Sequence, residues 1–358
     1  MPALNLAIRW ELWNIDFAQS AGNLLSLNFL GVFRDNTPEF ICCIVLFLHC
    51  FPINSIKQDI KLFIRYELYR NYTTSNNDSN TLLSSYIAGL IEGDGSIHVP
   101  KTERSSKGNL NYPSIQIVFH LKDLPLVLLI QKEIGHGSIH RKKGVNAYIY
   151  TVNNFKGLLL LIKLINGNMR TNKIFTLHKL IDWLNIKNKD LNIEKKRLNT
   201  NSLLSDAWLS GFIEADGHFS VRTTESGKYP KIECKFEISQ GQIDHNNNDN
   251  LFFLEKIAKL FESTVKPTRV ERPNPQYRVR TTNIKGNLAV IDYLTKYPLF
   301  GTKFLDFQDW VKVVNLFQAG RMNHKLNMTE VKLIKSQMND NRTVFVWDHL
   351  QNFYNLDK

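Results

Sequence analysis

The sequence predicts an α+β protein made of two copies of one α-β-β-α-β-β-α unit behind an N-terminal extension. Three observations carry that expectation. Two stretches, YIAGLIEGDGSI (86–97) and WLSGFIEADGHF (208–219), align without a gap as aromatic, aliphatic, small, Gly, apolar, Ile, Glu, small, Asp, Gly. The order of apolar patterns behind each stretch is the same. Polar runs at RNYTTSNNDSN (70–80) and NIKNKDLNIEKKRLNTNS (185–202) set off the extension and divide the rest into two parts of similar length. The 122 residues from Asp94 to Asp216 suffice for one small α/β unit per copy. The expected divisions are an extension over 1–80, a first repeat over 81–195, a second over 196–340 and a C-terminal tail over 341–358.

In the first copy, 96–101 and 114–121 read as strands separated by a polar loop. Residues 124–134 have helical apolar spacing (Leu128, Ile130, Ile134). Short strands at 138–141 and 147–152 follow, then a helix over 155–165. The second copy repeats the order, with strands at 219–224 and 231–239, a helix over 251–261 and strands at 264–271 and 276–281. Two helices follow, at 284–294 and 303–317.

With 43% hydrophobic residues in 358, the chain can build substantial cores, which excludes wholesale disorder. Lys plus Arg number 45 against 33 Asp plus Glu, a net charge of +12. That balance suits a polyanionic partner, although solvated basic faces give it too. Four cysteines exclude a disulfide scaffold, and without a Cys-x-x-Cys a zinc site of the usual spacing is not expected. The acidic residues Glu11 and Asp16 near the N-terminus do not fit a cleaved signal or transit peptide. The apolar run Phe40–Ile53 is shorter than the ~20 residues a spanning helix needs, so it reads as a buried helix or strand, with an isolated membrane segment as the second reading.

The first motif reads as a helix carrying an apolar stripe of Leu83, Ile87 and Leu90, with Ala88 and Gly89 removing bulk beside it. Ser210 and Gly211 repeat the device. Small residues let two helix backbones approach, whereas glycine within a helix otherwise costs ~1 kcal/mol. The two motif helices are therefore expected to pack on each other about a pseudo-two-fold axis. Each ends just before an Asp-Gly pair, which puts Asp94 and Asp216 near that axis. A lone Asp-Gly is ordinarily a turn in which glycine supplies a positive φ. Two of them in duplicated contexts favour a shared site instead. Paired carboxylates repel unless a cation lies between them, and hard divalent cations suit oxygen ligands and phosphoryl hydrolysis. Glu92 and Glu214 read as holding backbone donors or the facing helix rather than a metal.

IAGLIEGDG and LSGFIEADG resemble the paired motifs of single-chain LAGLIDADG homing endonucleases, commonly encoded in organellar group I introns. The resemblance covers about 82–320. It implies two αββαββα halves with saddle-shaped antiparallel sheets over DNA, with Asp94 and Asp216 as ligands of catalytic Mg²⁺. Lys173 in NGNMRTNK and Lys303 in YPLFGTK match the family's basic residue near the scissile phosphate, where it would stabilise developing charge. Gln240 in FEISQ matches a solvent-ordering polar residue at the end of the second strand, and His120 in IVFH stands in the corresponding place of the first half. Glu replaces Asp at the first acidic position of both motifs.

The strands are then expected to read DNA. Alternate residues share a face, which singles out Arg222, Thr224, Arg269, Glu271, Arg278 and Arg280 in the second half. In the first half the candidates are His98, Lys101, His140, Lys142, Tyr148 and Tyr150. Two non-identical halves imply a monomer cutting both strands of a long, asymmetric duplex, with no stable membrane partner. The alternative is a maturase, binding host group I intron RNA for splicing without nuclease activity. Abundant Asn, Lys and Ile, as in the run Asn246–Asn248, fit an A/T-rich genome, with the mitochondrion expected and the chloroplast as runner-up.

Overall fold

The computed structural model describes residues 81–226, 231–244, 247–322 and 328–356. All of them fall in the second of two compact units, Tyr69–Lys358. The extension, with its Phe40–Ile53 run, lies outside the described residues.

The first half runs α1 (Thr81–Asp94), β1 (Gly95–His98), β2 (Ser114–His120), α2 (Leu124–Ile134), β3 (Ser138–Arg141), β4 (Ala147–Val152), α3 (Phe155–Ile165) and α4 (Ile174–Lys187). The second runs α5 (Trp208–Asp216), β5 (Gly217–Thr224), β6 (Lys231–Gly241), α6 (Leu251–Leu260), β7 (Val265–Thr268), β8 (Gln276–Arg280), α7 (Ile284–Lys296) and α8 (Thr302–Met322), followed by α9 (Met328–Lys335). Each half forms one antiparallel four-stranded sheet, ordered β1-β2-β4-β3 and β5-β6-β8-β7. The duplicated order is as expected, with one addition. Helix α4 falls partly in the polar run assigned to the linker. Leu177, Leu180, Ile181 and Leu184 supply its buried stripe at helical spacing.

One face of each sheet carries the core. In the first half, Ile115, Ile117, Phe119, Tyr150 and Val152 are buried together with Leu126 and Ile130 of α2 and Leu161 and Ile162 of α3. In the second, the ring of Phe219 lies 5.2 Å from Phe236 and 5.4 Å from Trp310, and Phe236 lies 5.4 Å from Phe261. The same capping chemistry starts corresponding helices: Asn154 accepts from the Gly157 N–H at 3.1 Å, and Asn283 from that of Gly286 at 2.7 Å.

Two expectations are corrected here. Tyr150 is buried on the core face, and Tyr148 shares that face, because strand alternation separates both from Ile149 on the other side. Tyr150 donates its hydroxyl to the His136 carbonyl at 2.5 Å, so neither tyrosine belongs to the exposed face. The segment expected as a tail instead packs as a strap. Arg342 binds Asp306 at 2.8 Å and Asp309 at 2.6 Å in α8. Phe353 is buried against Tyr86 of α1 and Phe300, and the Leu356 N–H reaches Glu133 of α2 at 3.3 Å.

Candidate active site

Helices α1 and α5 make the seam between the halves, and glycine permits it. A Cβ on Gly89 would overlap the Trp208 carbonyl oxygen, and one on Gly211 would overlap that of Tyr86. Residues 86, 89, 92 and 94 correspond to 208, 211, 214 and 216, so each glycine faces the other helix's aromatic residue. At the C-terminal ends a Cβ on Gly93 would lie 2.9 Å from Asp216 Oδ2 and overlap the Ala215 side chain. This close approach sets the two motif carboxylates beside each other.

The glycines after the aspartates do not make the positive-φ turn that a lone Asp-Gly ordinarily makes. Gly217 is extended, with φ −74° and ψ 149°, and Gly95 is not among the glycines with positive φ. Space is the constraint: a Cβ on Gly95 would lie 2.7 Å from the Ile91 carbonyl oxygen, and one on Gly217 would lie 2.8 Å from that of Ile213. Helix therefore passes directly into strand.

The motif glutamates brace the seam, as expected. Glu92 is buried and accepts from the backbone N–H groups of Arg170 (2.9 Å) and Thr171 (2.6 Å), the Thr171 hydroxyl (2.5 Å) and the Trp208 indole (2.5 Å). Glu214 accepts from the N–H groups of Phe300 (2.7 Å) and Gly301 (3.0 Å) and from the Tyr86 hydroxyl (3.3 Å). Burial raises both carboxyls above their usual range, against the pull of these donors.

Asp94 is exposed and Asp216 half-buried. Burial, and after it the Asp94 charge, pushes Asp216 up to about 6, against Lys303, Lys173 and Gln240. Desolvation also raises Asp94, opposed by Lys303 and Lys173. The two lysines cap the motif helices. Lys173 Nζ lies 3.0, 2.8 and 2.8 Å from the carbonyls of Ile91, Glu92 and Gly95. Lys303 Nζ lies 3.1 and 2.9 Å from those of Ile213 and Ala215. A cation at a helix C-terminus satisfies orphan carbonyls and opposes the negative end of the dipole. Burial lowers Lys173 from its ordinary value, against the carboxylates around it.

Gln240 donates to Asp216 at 2.6 Å. His120 does not occupy the corresponding place. Gly95 faces Ile117 and Gly217 faces Ile238, so Gln240 corresponds to Phe119, an apolar core residue. His120 is turned to the opposite face, where Nδ1 accepts from the Lys122 N–H at 3.2 Å, and it lines a cleft with His218, Thr302 and Arg342. The halves are thus unequal around their carboxylates. A third carboxylate, not singled out from the sequence, stands close by: Asp123 accepts from the Thr302 N–H across the seam at 2.7 Å. Nothing in the pattern of LKD marks it.

The strand positions divide clearly. His98, His140 and Arg222 are exposed, and Thr224, Arg278 and Arg280 partly so, all on the face away from the core. Lys101 and Lys142 are exposed in flanking turns. Arg269 and Glu271 lie beyond β7, which ends at Thr268. A left-handed Arg269 (φ 54°) begins the turn, so the expected long strand is cut short. Arg280 pairs with Glu237 at 2.6 Å.

The donor set fits a hard divalent cation: two adjacent carboxylates raised above their ordinary range, no sulfur and no imidazole. Among the described residues no cluster of three or more His, Cys, Asp or Glu forms. Water and phosphate oxygens would complete the shell of such a cation.

Comparisons with known proteins bear on the family and the fold. The chain matches the family model described as LAGLIDADG endonuclease over residues 87–184 and 209–314. It is 30% identical over 335 residues to the intron-encoded DNA endonuclease aI3 of Saccharomyces cerevisiae, covering 80% of this chain and 79% of that protein. It is 34% identical over 163 residues to the intron-encoded RNA maturase bI4 of the same yeast, covering 45% of this chain and 22% of that one. The fold is similar to that of the LAGLIDADG homing endonuclease I-GzeII in complex with its DNA target. The TM-score is 0.55 at 21% identity, covering 73% of this chain and 100% of that one.

Proposed function

We propose that this chain, which belongs to the LAGLIDADG endonuclease family, is an intron-encoded, site-specific endodeoxyribonuclease that breaks both strands of a long, asymmetric duplex. The observation that carries the reading is the approach of Asp94 and Asp216 at the ends of two helices held together by Gly89 and Gly211.

Asp94 and Asp216 would hold Mg²⁺. The chemistry supplied there is stabilisation of phosphate charge and activation of a water for phosphodiester hydrolysis. Gln240 fixes the orientation of the Asp216 carboxylate through its amide. Lys173 and Lys303 hold the two helix ends in place and add positive charge beside the site, where negative charge develops on the phosphate. The exposed sheet faces, with His98, His140, Arg222, Thr224, Arg278 and Arg280, would lie along the DNA. Lys101, Lys142 and Arg269 would reach phosphates from the turns. His120 is assigned to the cleft near the strand ends rather than to ordering solvent. Two non-identical halves suit a monomer and a target without a palindrome.

The similarity to intron-encoded yeast proteins and the Asn-rich composition support a mitochondrial origin. The similarity to an RNA maturase favours a second reading, in which the chain assists splicing of its host intron. One experiment separates them: incubation of the full chain with a plasmid carrying the uninterrupted insertion site, in Mg²⁺ and in EDTA. Linear product in Mg²⁺ alone supports the nuclease. No cleavage, together with preferential binding of the host intron RNA, supports the maturase.

A further inference from the structure

The strand registers match the two sheets residue by residue. Ile117 corresponds to Ile238, since each faces the glycine that follows a motif aspartate. Ile117 in turn faces Tyr150, and Ile238 faces Val279. One step along each strand reaches the exposed face. There the pair Val118 and Ile149 corresponds to Ser239 and Arg278, and the pair Gln116 and Thr151 corresponds to Glu237 and Arg280.

At these matched places the chemistry is opposite. Val118 and Ile149 are branched hydrocarbons on the two central strands of the first sheet, and Val118 is 40% exposed. No exposed-face position on the four strands of that sheet carries a formal charge. On the second sheet the same place holds a hydroxyl and a guanidinium. Among the described residues no carboxylate pairs with Arg278, whereas Arg280 is tied to Glu237. Two apolar side chains are far too small a patch for a protein partner, which needs about 800 Å² a side. They do match the one apolar group on the major-groove edge of a base pair, the thymine C5 methyl. Arginine matches the O6 and N7 acceptors of guanine.

The geometry points to two half-sites of opposite composition: thymine beneath Val118 and Ile149, and guanine beneath Arg278, at matching distances from the centre of the target. This rests on the reading that the exposed sheet faces bind duplex DNA, and it adds which bases each face selects.

The test begins with the full chain in EDTA, selecting bound duplexes from a randomised pool. The selected site is then remade with deoxyuridine for thymine, which deletes only the methyl group. It is also remade with 7-deazaguanine for guanine, which deletes only N7. Deoxyuridine should weaken binding about fourfold for each contacted methyl in one half-site and leave the other unchanged. 7-Deazaguanine should weaken binding about fivefold or more in the opposite half-site. Val118→Ser combined with Ile149→Arg, which copies the second sheet onto the first, should exchange the thymine preference for guanine. Should that variant fail to fold, the two base analogues on the unmodified chain still decide. A selected site insensitive to both analogues, or equally sensitive in both halves, overturns the inference while leaving the DNA reading intact. No enriched site at all overturns the DNA reading and this inference with it.

Discussion

Trp208 donates its indole N–H to Glu92 at 2.5 Å, and the corresponding residue of the other motif helix, Tyr86, donates its hydroxyl to Glu214 at 3.3 Å. Each motif helix thus supplies an aromatic donor to the glutamate of the other, two residues before the aspartates. The exchange is unequal in strength. Removing a hydrogen bond to a buried carboxylate costs about 1.5–3 kcal/mol, and a long bond is worth less. Trp208→Phe should therefore destabilise the protein by about 2–3 kcal/mol and Tyr86→Phe by about 1 kcal/mol or less, read from denaturant unfolding. Equal losses would show that the seam does not depend on the Glu92 hub.

The raised Asp216 carboxyl gives a pH dependence with a definite sign. Its folded value of about 6 lies above its ordinary 3.8. The group therefore contributes stability that is fully present below about pH 4 and lost as pH rises through about 6. At pH 7.5 without metal the ionised carboxylate costs up to about 3 kcal/mol, from roughly 1.4 kcal/mol per unit. Asp216→Asn should thus be more stable than the parent at pH 7.5 in EDTA, by about 1–3 kcal/mol. The gap should close toward pH 4. Unfolding curves at both pH values check it, and a variant less stable at pH 7.5 would contradict the assignment.

Gln240 makes the two carboxylates different, because Phe119 stands in its place in the first half. Two strands cut at different rates are expected, so supercoiled plasmid should pass through a nicked form. Loss of an outer-shell partner costs about 10–100-fold in affinity for metal or in activity. Gln240→Leu should slow one strand by about tenfold or more and prolong the nicked intermediate. Simultaneous cutting by the unmodified chain would remove this role.

Much of this was legible in the sequence, because repetition and periodicity are properties of the chain itself. The strands Ser138–Arg141 and Ala147–Val152 and the helices Leu124–Ile134 and Phe155–Ile165 stand where their patterns put them. Asp94 and Asp216 come together as the duplicated motifs implied, and Lys173 and Lys303, which the family resemblance singled out, stand at the same helix ends. What the pattern concealed depends on register and on contacts across the seam. A single residue of register separates His120 from the place matching Gln240, and no local signal fixes that step. The glycines after the aspartates keep extended backbone because helix atoms crowd them, and crowding is invisible in Asp-Gly alone. Asp123 and the strap through Phe353 acquire meaning only from the half they touch. Helix α4 went unread, because polar residues between its five buried positions masked an apolar stripe that does recur at helical spacing.

The central claim is that Asp94 and Asp216 perform the chemistry jointly while the sheet faces supply the affinity. It is tested most directly by single-turnover cleavage and equilibrium binding of one target by Asp94→Asn and Asp216→Asn, in Mg²⁺ at fixed salt. Metal ligands act on the reaction, whereas phosphate contacts carry most of the binding. Both variants should lose double-strand cleavage and bind the target within about tenfold of the parent. Full double-strand cleavage by either variant would contradict the shared site.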